Sequence, residues 1–388
     1  MDDRFEWMAT AAFGLEGVVA NELRHMGIDA RAEMGGARFT APPEQAFEAN
    51  LWLRCADRVL LVMGRFPART FDELFEGVRA LPWADFIPAD GRFPVTGRCA
   101  RSQLMSVSDC QAIAKKAIVE RLKAAYGRSW FDETGDVYAV NVALHGDIAQ
   151  VTLDASGAAL NRRGYRTWNG EAPLRETLAA ALVQLAPWRP GQTLYDPMCG
   201  TGTLLVEAAM RMADRAPGLT RPFDCESWGF MPAGEMRRLR EEAQARFDPT
   251  RVEGIAGSDI DPQALELARR HVAQAGLAGR IPLRETDVRD VRLKADRGTF
   301  LTNPPYGERL SDRRACEALY RELGLLLRRH PGFHLACITS HPGFERSFGR
   351  RADKRRRLYN GRLECEFMTF FSKAKPAGRA SDRPKEEG

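Results

Sequence analysis

Residues 299–310 read Thr299-Phe300-Leu301-Thr302-Asn303-Pro304-Pro305-Tyr306-Gly307-Glu308-Arg309-Leu310. The apolar pair Phe300-Leu301 reads as a short buried strand, and two consecutive prolines stop it by removing backbone donors and fixing φ. An amide and an aromatic ring are thereby presented just past a strand end, where open α/β sheets hold their ligands. A planar base bearing an amino group suits such a site: the ring stacks on it and carbonyl oxygens accept its amino hydrogens.

On both sides of this stretch, strand and helix patterns alternate as in a parallel doubly wound sheet. Residues 193–195, 255–258, 281–285 and 333–339 read as strands, and 203–213, 262–275 and 316–329 as helices. Asp261 as N-cap and Pro262 at the first helical position mark one helix start. Near the end, Asn360-Gly361 separates residues 357–359 from 363–371, a strong hairpin signal. The expected fold is therefore α/β, a doubly wound sheet closed by an antiparallel C-terminal hairpin. Residues 214–247 exceed what a crossover needs and read as an insertion with one charged helix at 234–247. The charged, apolar-poor residues 373–388 read as a disordered tail.

Ahead of this sheet lies an α+β module. Strands are expected at 5–12, 37–41, 57–63, 92–100, 137–144 and 148–154, and helices at 14–26, 43–53, 71–81 and 108–126; a helix at 173–185 follows the module and leads into the sheet.

The 388 residues are 44% hydrophobic and 28% charged, which fits a globular chain of two or three domains. The apolar runs are interrupted by Arg or Glu before they reach membrane-span length. The acidic, polar start Met1-Asp2-Asp3-Arg4 lacks the pattern of a secretory signal, so a cytoplasmic location is expected. Eight cysteines without a Cys-x-x-Cys pair fit reduced thiols better than a disulfide frame or zinc site, and no metal is expected. A net charge of +5 permits a nucleic-acid partner without requiring one. Two basic runs stand out, Asn161-Arg162-Arg163-Gly164-Tyr165-Arg166 and Arg350-Arg351-Ala352-Asp353-Lys354-Arg355-Arg356-Arg357. A solvated basic surface explains either run equally well.

The loop Asp196-Pro197-Met198-Cys199-Gly200-Thr201-Gly202-Thr203 follows the first strand of the sheet and opens a helix. Gly200 and Gly202 permit a tight turn and close approach by a ligand. The loop lacks the lysine of a P-loop, and Leu205 stands where a dinucleotide fingerprint has its third glycine. Taken alone, the loop is as readily a structural strand-to-helix turn. Asp259 ends the second strand, where a carboxylate can accept from ribose hydroxyls, and Asp287 ends the third, where it can accept from an adenine amino group. Either acid alone is more simply a helix cap or a loop residue. Successive strand ends carrying Asp196, Asp259, Asp287 and Asn303 together describe a nucleoside pocket facing a planar substrate.

These residues resemble those of class I S-adenosylmethionine-dependent methyltransferases, and Asn303-Pro304-Pro305-Tyr306 resembles the motif of enzymes that methylate exocyclic amino nitrogens of bases. Up to about Phe371 the chain is similar to THUMP-domain methyltransferases, close to the RNA guanine-N2 branch that acts on 23S ribosomal RNA. The matching stretches include Gly14-Leu15-Glu16, residues 161–166, residues 173–180 and Asp214-Arg215-Ala216-Pro217-Gly218-Leu219. The resemblance implies a ferredoxin-like domain at 1–65, an RNA-binding THUMP domain at 66–155 and a methyltransferase domain at 156–372. A second methyltransferase, found after this region in a larger bifunctional relative, is not expected here.

The resemblance also implies roles. S-adenosylmethionine is the cofactor, its methionine part held by Asp196, Pro197, Cys199, Gly200, Thr201, Gly202 and Thr203. Its ribose falls to Asp259 beside Ile260, and its adenine to Asp287 and Val288. Asn303 and the Pro304 carbonyl accept from the target amino group, Pro305 completes the turn, and Tyr306 stacks on the base through its ring. Arg162, Arg163 and Arg166, at the junction of the modules, and Lys115 and Lys116 on the 108–126 helix would contact RNA phosphates, although a solvated helix face accounts for the lysines as well. Alternatives are the same chemistry on tRNA, adenine-N6 methylation of DNA, and a non-catalytic RNA-binding assembly factor.

Overall fold

A computed structural model of the chain describes residues 4–166, 174–307 and 310–373. Residues 374–388, nearly all of the expected tail, lie outside the described residues, as do Pro173, Glu308 and Arg309.

The N-terminal part runs β1 (Phe5–Thr10), α1 (Glu16–His25), β2 (Ala30–Glu33), β3 (Gly36–Ala41), α2 (Pro43–Trp52) and β4 (Arg58–Pro67). It continues through α3 (Phe71–Arg79), β5 (Val95–Ala100), α4 (Val107–Tyr126), β6 (Val140–His145) and β7 (Ile148–Asp154). Its strands form one sheet in the order β2-β3-β1-β4-β7-β6-β5. β4 pairs with β1 through its first residues and with β7 along its length, bulging between Val62 and Gly64. The boundary expected at 65/66 falls inside this strand, so the ferredoxin-like and THUMP halves share it. β2 has no counterpart among the expected strands. Its sequence Ala-Arg-Ala-Glu has low β-propensity, and only its pairing with β3 makes it a strand.

The C-terminal part contains α5 (Glu176–Leu185), β8 (Thr193–Asp196), α6 (Thr203–Met212), α7 (Glu235–Arg246), β9 (Ile255–Asp259), α8 (Pro262–Gln274) and β10 (Leu283–Glu285). β11 (Gly298–Thr302), α9 (Leu310–Arg329), β12 (Phe333–Thr339), α10 (Phe344–Phe348), β13 (Lys354–Asn360) and β14 (Leu363–Phe370) complete it. The sheet order is β10-β9-β8-β11-β12-β14-β13. Its first five strands are parallel, β14 runs antiparallel to them and pairs antiparallel with β13, as the hairpin signal implied. β9 flanks β8 on one side and β11 on the other, so the chain order reverses at β8. The crevice at such a reversal is where ligands bind in this architecture. All five residues of β11 are buried, and Phe300 stacks on Phe333 at 4.7 Å, holding the strand that carries the Asn-Pro-Pro-Tyr loop.

The 214–247 segment acts as mortar between the two parts. The Gly218 amide donates to the Leu51 carbonyl at 3.0 Å. The Trp228 indole N–H donates to the Val137 carbonyl at 2.8 Å, and its ring stacks on Tyr138 at 5.5 Å. Phe230 packs edge-on against Phe86 at 5.0 Å, and Arg246 lies 4.2 Å from the centre of the Trp52 ring.

Candidate active site

β8 ends in Asp196, and the chain turns through the glycine loop into α6. Gly200 and Gly202 take φ of +51° and +80°, a region that favours glycine. The Gly202 amide donates to the Cys199 carbonyl at 2.8 Å. From below, the buried His271 imidazole Nδ1 lies 3.0 Å from the Thr201 carbonyl. From the side, Arg166 donates to the Thr203 hydroxyl at 2.6 Å. The loop is held from two elements before any ligand enters.

Asp259, at the end of β9, accepts from the Gly200 amide at 2.7 Å, which ties two of the expected ligand-binding positions together. Asp287 accepts from the backbone amide of Arg289 at 2.9 Å. That bond, with the Arg289 guanidinium, holds its carboxyl below the usual carboxylate range. Asp196 is only 2% exposed, and burial pushes its carboxyl up to about 7, against the opposing bond from the Met198 amide.

A cavity of about 600 Å³ is lined by Pro197, Gly200, Asp259, Ile260, Asp287 and Val288 on one side and by Asn303, Pro304, Pro305 and Tyr306 on the other. A second, of about 520 Å³, is lined by Asp196, Cys199, Gly200, Thr201, Thr203 and again Asn303. The structure thus gathers every expected cofactor and acceptor residue around adjoining spaces, save Gly202, which serves the turn. At Gly200, which lines both cavities, an added Cβ would meet no atom of the described residues within 4 Å. That open space and the carboxylates of Asp259 and Asp287 fit a nucleoside with an extended polar arm.

The acceptor loop is pinned at both ends. The Tyr306 hydroxyl donates to Asn303 Oδ1 at 2.5 Å, and the fully buried Tyr320 donates to the Pro305 carbonyl at 2.7 Å. The Tyr306 hydroxyl thus sets the orientation of the Asn303 amide. Burial drives that hydroxyl well above the ordinary tyrosine range, so it remains a donor.

The basic residues divide. Arg163, expected on RNA, is buried: it pairs with Glu207 at 3.5 Å and donates to the carbonyls of Leu160 and Arg54. Arg166 pairs with Glu176 at 3.4 Å, both nearly enclosed. These two are corrected from phosphate contacts to structural joints, because an enclosed guanidinium paired with a buried carboxylate does not reach a phosphate in solvent. Lys115 is paired with Glu133 at 2.5 Å and lies 3.5 Å from the Phe93 ring centre, so it too belongs to its own module. Arg162 and Lys116 are exposed.

Sequence reasoning missed Tyr320, Leu319, Asn360 and Leu363. The last three line the larger cavity, and Asn360-Gly361 had registered only as a turn.

A reversal-point pocket with ordered carboxylates, facing an amide loop, defines an S-adenosylmethionine-dependent class I methyltransferase. Comparison with known families gives the particular one: the chain belongs to the RMKL-like methyltransferase domain family, whose model matches residues 163–369. Models of the RlmL ferredoxin-like domain and the THUMP domain match residues 6–60 and 68–154. A Bacillus subtilis protein named "Putative RNA methyltransferase YpsC" is 40% identical over 98% of this chain and 99% of its own length. Ribosomal RNA large subunit methyltransferase K/L of Pseudomonas putida is 38% identical over 95% of this chain, which spans 53% of that protein. Among solved structures, the protein described as "SMU.472, a putative methyltransferase complexed with SAH" superposes with a TM-score of 0.91 at 39% identity, covering 97% of this chain and 100% of that one. A Listeria monocytogenes protein described as a predicted N6-adenine-specific DNA methylase gives 0.90 at 42% identity, covering 95% and 96%.

Proposed function

We propose that the protein methylates the exocyclic N2 amino group of a guanine in RNA, with large-subunit ribosomal RNA as its substrate, in the cytoplasm. The observation that carries this reading is the Asn303-Pro304-Pro305-Tyr306 loop at the sheet's reversal point, facing a nucleoside-shaped cavity. Support for RNA comes from the THUMP match and from the names of the two relatives. The guanine-N2 assignment rests on the motif resemblance. The expected division into domains at 1–65, 66–155 and 156–372 is carried into this reading, with the strand β4 shared by the first two.

S-adenosylmethionine, when bound, supplies a methyl group on a sulfonium centre. The chain does the rest. Asp259 accepts from ribose hydroxyls, Asp287 and Val288 hold the adenine, and the loop from Asp196 to Thr203 holds the methionine part. An exocyclic amine conjugated into its ring is a poor nucleophile. Asn303 Oδ1 and the Pro304 carbonyl accept its two hydrogens and favour a pyramidal nitrogen with its lone pair directed at the methyl. As the N–C bond forms the S–C bond would break, and the methylated nitrogen would then release one of its protons to solvent; no strong base is needed beforehand, since positioning of this kind is worth about 7–11 kcal/mol. A base within structured RNA has first to be extruded.

The DNA reading has one observation in its favour, the description of the Listeria structure. Tritiated methyl transfer to total RNA and to DNA, followed by nucleoside digestion, separates them. N2-methylguanosine in RNA is expected; N6-methyladenine in DNA, or no transfer to either, overturns the proposal.

A further inference from the structure

The acceptor side of the pocket has a wall built by the C-terminal hairpin. β14 is antiparallel to β12, with Glu366 opposite Thr339. Residues before Glu366 therefore overrun the end of β12 and return above the crevice. Asn360 and Leu363 line the same cavity as Asn303 and Tyr306, on the flank of the sheet opposite β9 and β10.

The same hairpin is clasped by the N-terminal module. Gly14 has φ +88°, and a Cβ there would stand 2.6 Å from the Arg357 carbonyl oxygen. The Arg356 guanidinium donates to the Gly14 carbonyl at 3.2 Å. Beside it Phe13, 60% exposed, meets Tyr359 edge-on at 5.7 Å. The Tyr359 hydroxyl donates to Glu364 at 2.8 Å, which fixes its ring. Arg357 is already paired with Glu364, while Arg362 stands exposed at the turn. An exposed ring, a half-buried ring one residue from the cavity-lining Asn360 and a cation at the turn are the ingredients of single-strand recognition.

We propose that the hairpin tip and Phe13 form a strand clamp. Asn360 and Leu363 close over the extruded acceptor base. The Phe13–Tyr359 pair stacks on a neighbouring nucleotide of a single-stranded RNA segment, and Arg362 meets its phosphate. The N-terminal module thereby supplies a residue beside the hairpin that walls the active site. This inference rests on the RNA reading above and adds the residues that select the strand.

The test uses the full chain, S-adenosylmethionine and the RNA fraction methylated by the wild type. Phe13→Ala should raise the KM for RNA about tenfold, a typical loss for one base–aromatic stack, and Phe13→Trp should restore it. Cofactor affinity measured by calorimetry should not move in either variant. Met34→Ala, which removes an equally exposed side chain elsewhere, should change nothing. Failure of the wild type to methylate any RNA overturns the RNA reading and the clamp with it. A methylating wild type whose KM is the same in Phe13→Ala overturns the clamp alone.

Discussion

Asn303 Oδ1 has two lone pairs, and the Tyr306 hydroxyl occupies one of them. The other is left for a substrate amino hydrogen. Asn303→Ala is expected to abolish methyl transfer while calorimetry shows cofactor binding intact; lost cofactor affinity would refute the assignment. Tyr306→Phe keeps the ring but frees the amide to rotate, so a roughly tenfold fall in single-turnover rate is expected, equivalent to about 1.4 kcal/mol. An unchanged rate would return Tyr306 to a purely stacking role. Asp196 gives a pH signature. Its pKa is raised to about 7, so the folded apo-protein holds a proton that the unfolded chain has released. Stability from this group is present below the unfolded value and falls as pH rises towards 7. Binding of a cationic cofactor beside it has the opposite dependence, weakening by about tenfold per pH unit below 7. Titrations between pH 5.5 and 8.5 check this, and Asp196→Asn should flatten the curve.

At the scale of elements, much was legible because local signals and burial agreed. Pro304-Pro305 ended a strand that proved wholly buried, and Asn360-Gly361 joined two strands in register. The carboxylates fell at strand ends because α/β alternation alone places loops on that edge. Burial of arginines was not legible. Arg162, Arg163 and Arg166 lie within five residues, yet contacts with Glu207 and the Arg54 carbonyl, both far away in sequence, decide that Arg163 faces inward. Arg163→Ala should therefore cost about 3–5 kcal/mol in denaturant unfolding, since it leaves the buried Glu207 carboxylate with only the Tyr165 hydroxyl as donor. Arg162→Ala should instead leave stability unchanged and reduce the slope of log RNA affinity against log salt. The reverse pattern would reinstate Arg163 as a phosphate contact. Likewise Asn360 and Leu363 gave no hint of a site, since the antiparallel return of β14 over the crevice is a property of the sheet.

Across the whole molecule, the 214–247 segment sets the position of the N-terminal part relative to the methyltransferase sheet. Trp228, 2% exposed, spans that joint. Trp228→Ala should cost about 3–5 kcal/mol and split a single thermal transition into two, read by calorimetry. One undivided transition would mean the remaining contacts suffice. The strand β4 has a different consequence. It is hydrogen-bonded on one side to β1 and on the other to β7, so the ferredoxin-like and THUMP halves are separable in name more readily than in substance. A chain severed after Arg65 would leave each fragment with a raw, unpaired β-edge, and such edges adhere to one another. The smallest heritable and portable piece of the N-terminal half is thus the entire seven-stranded sheet.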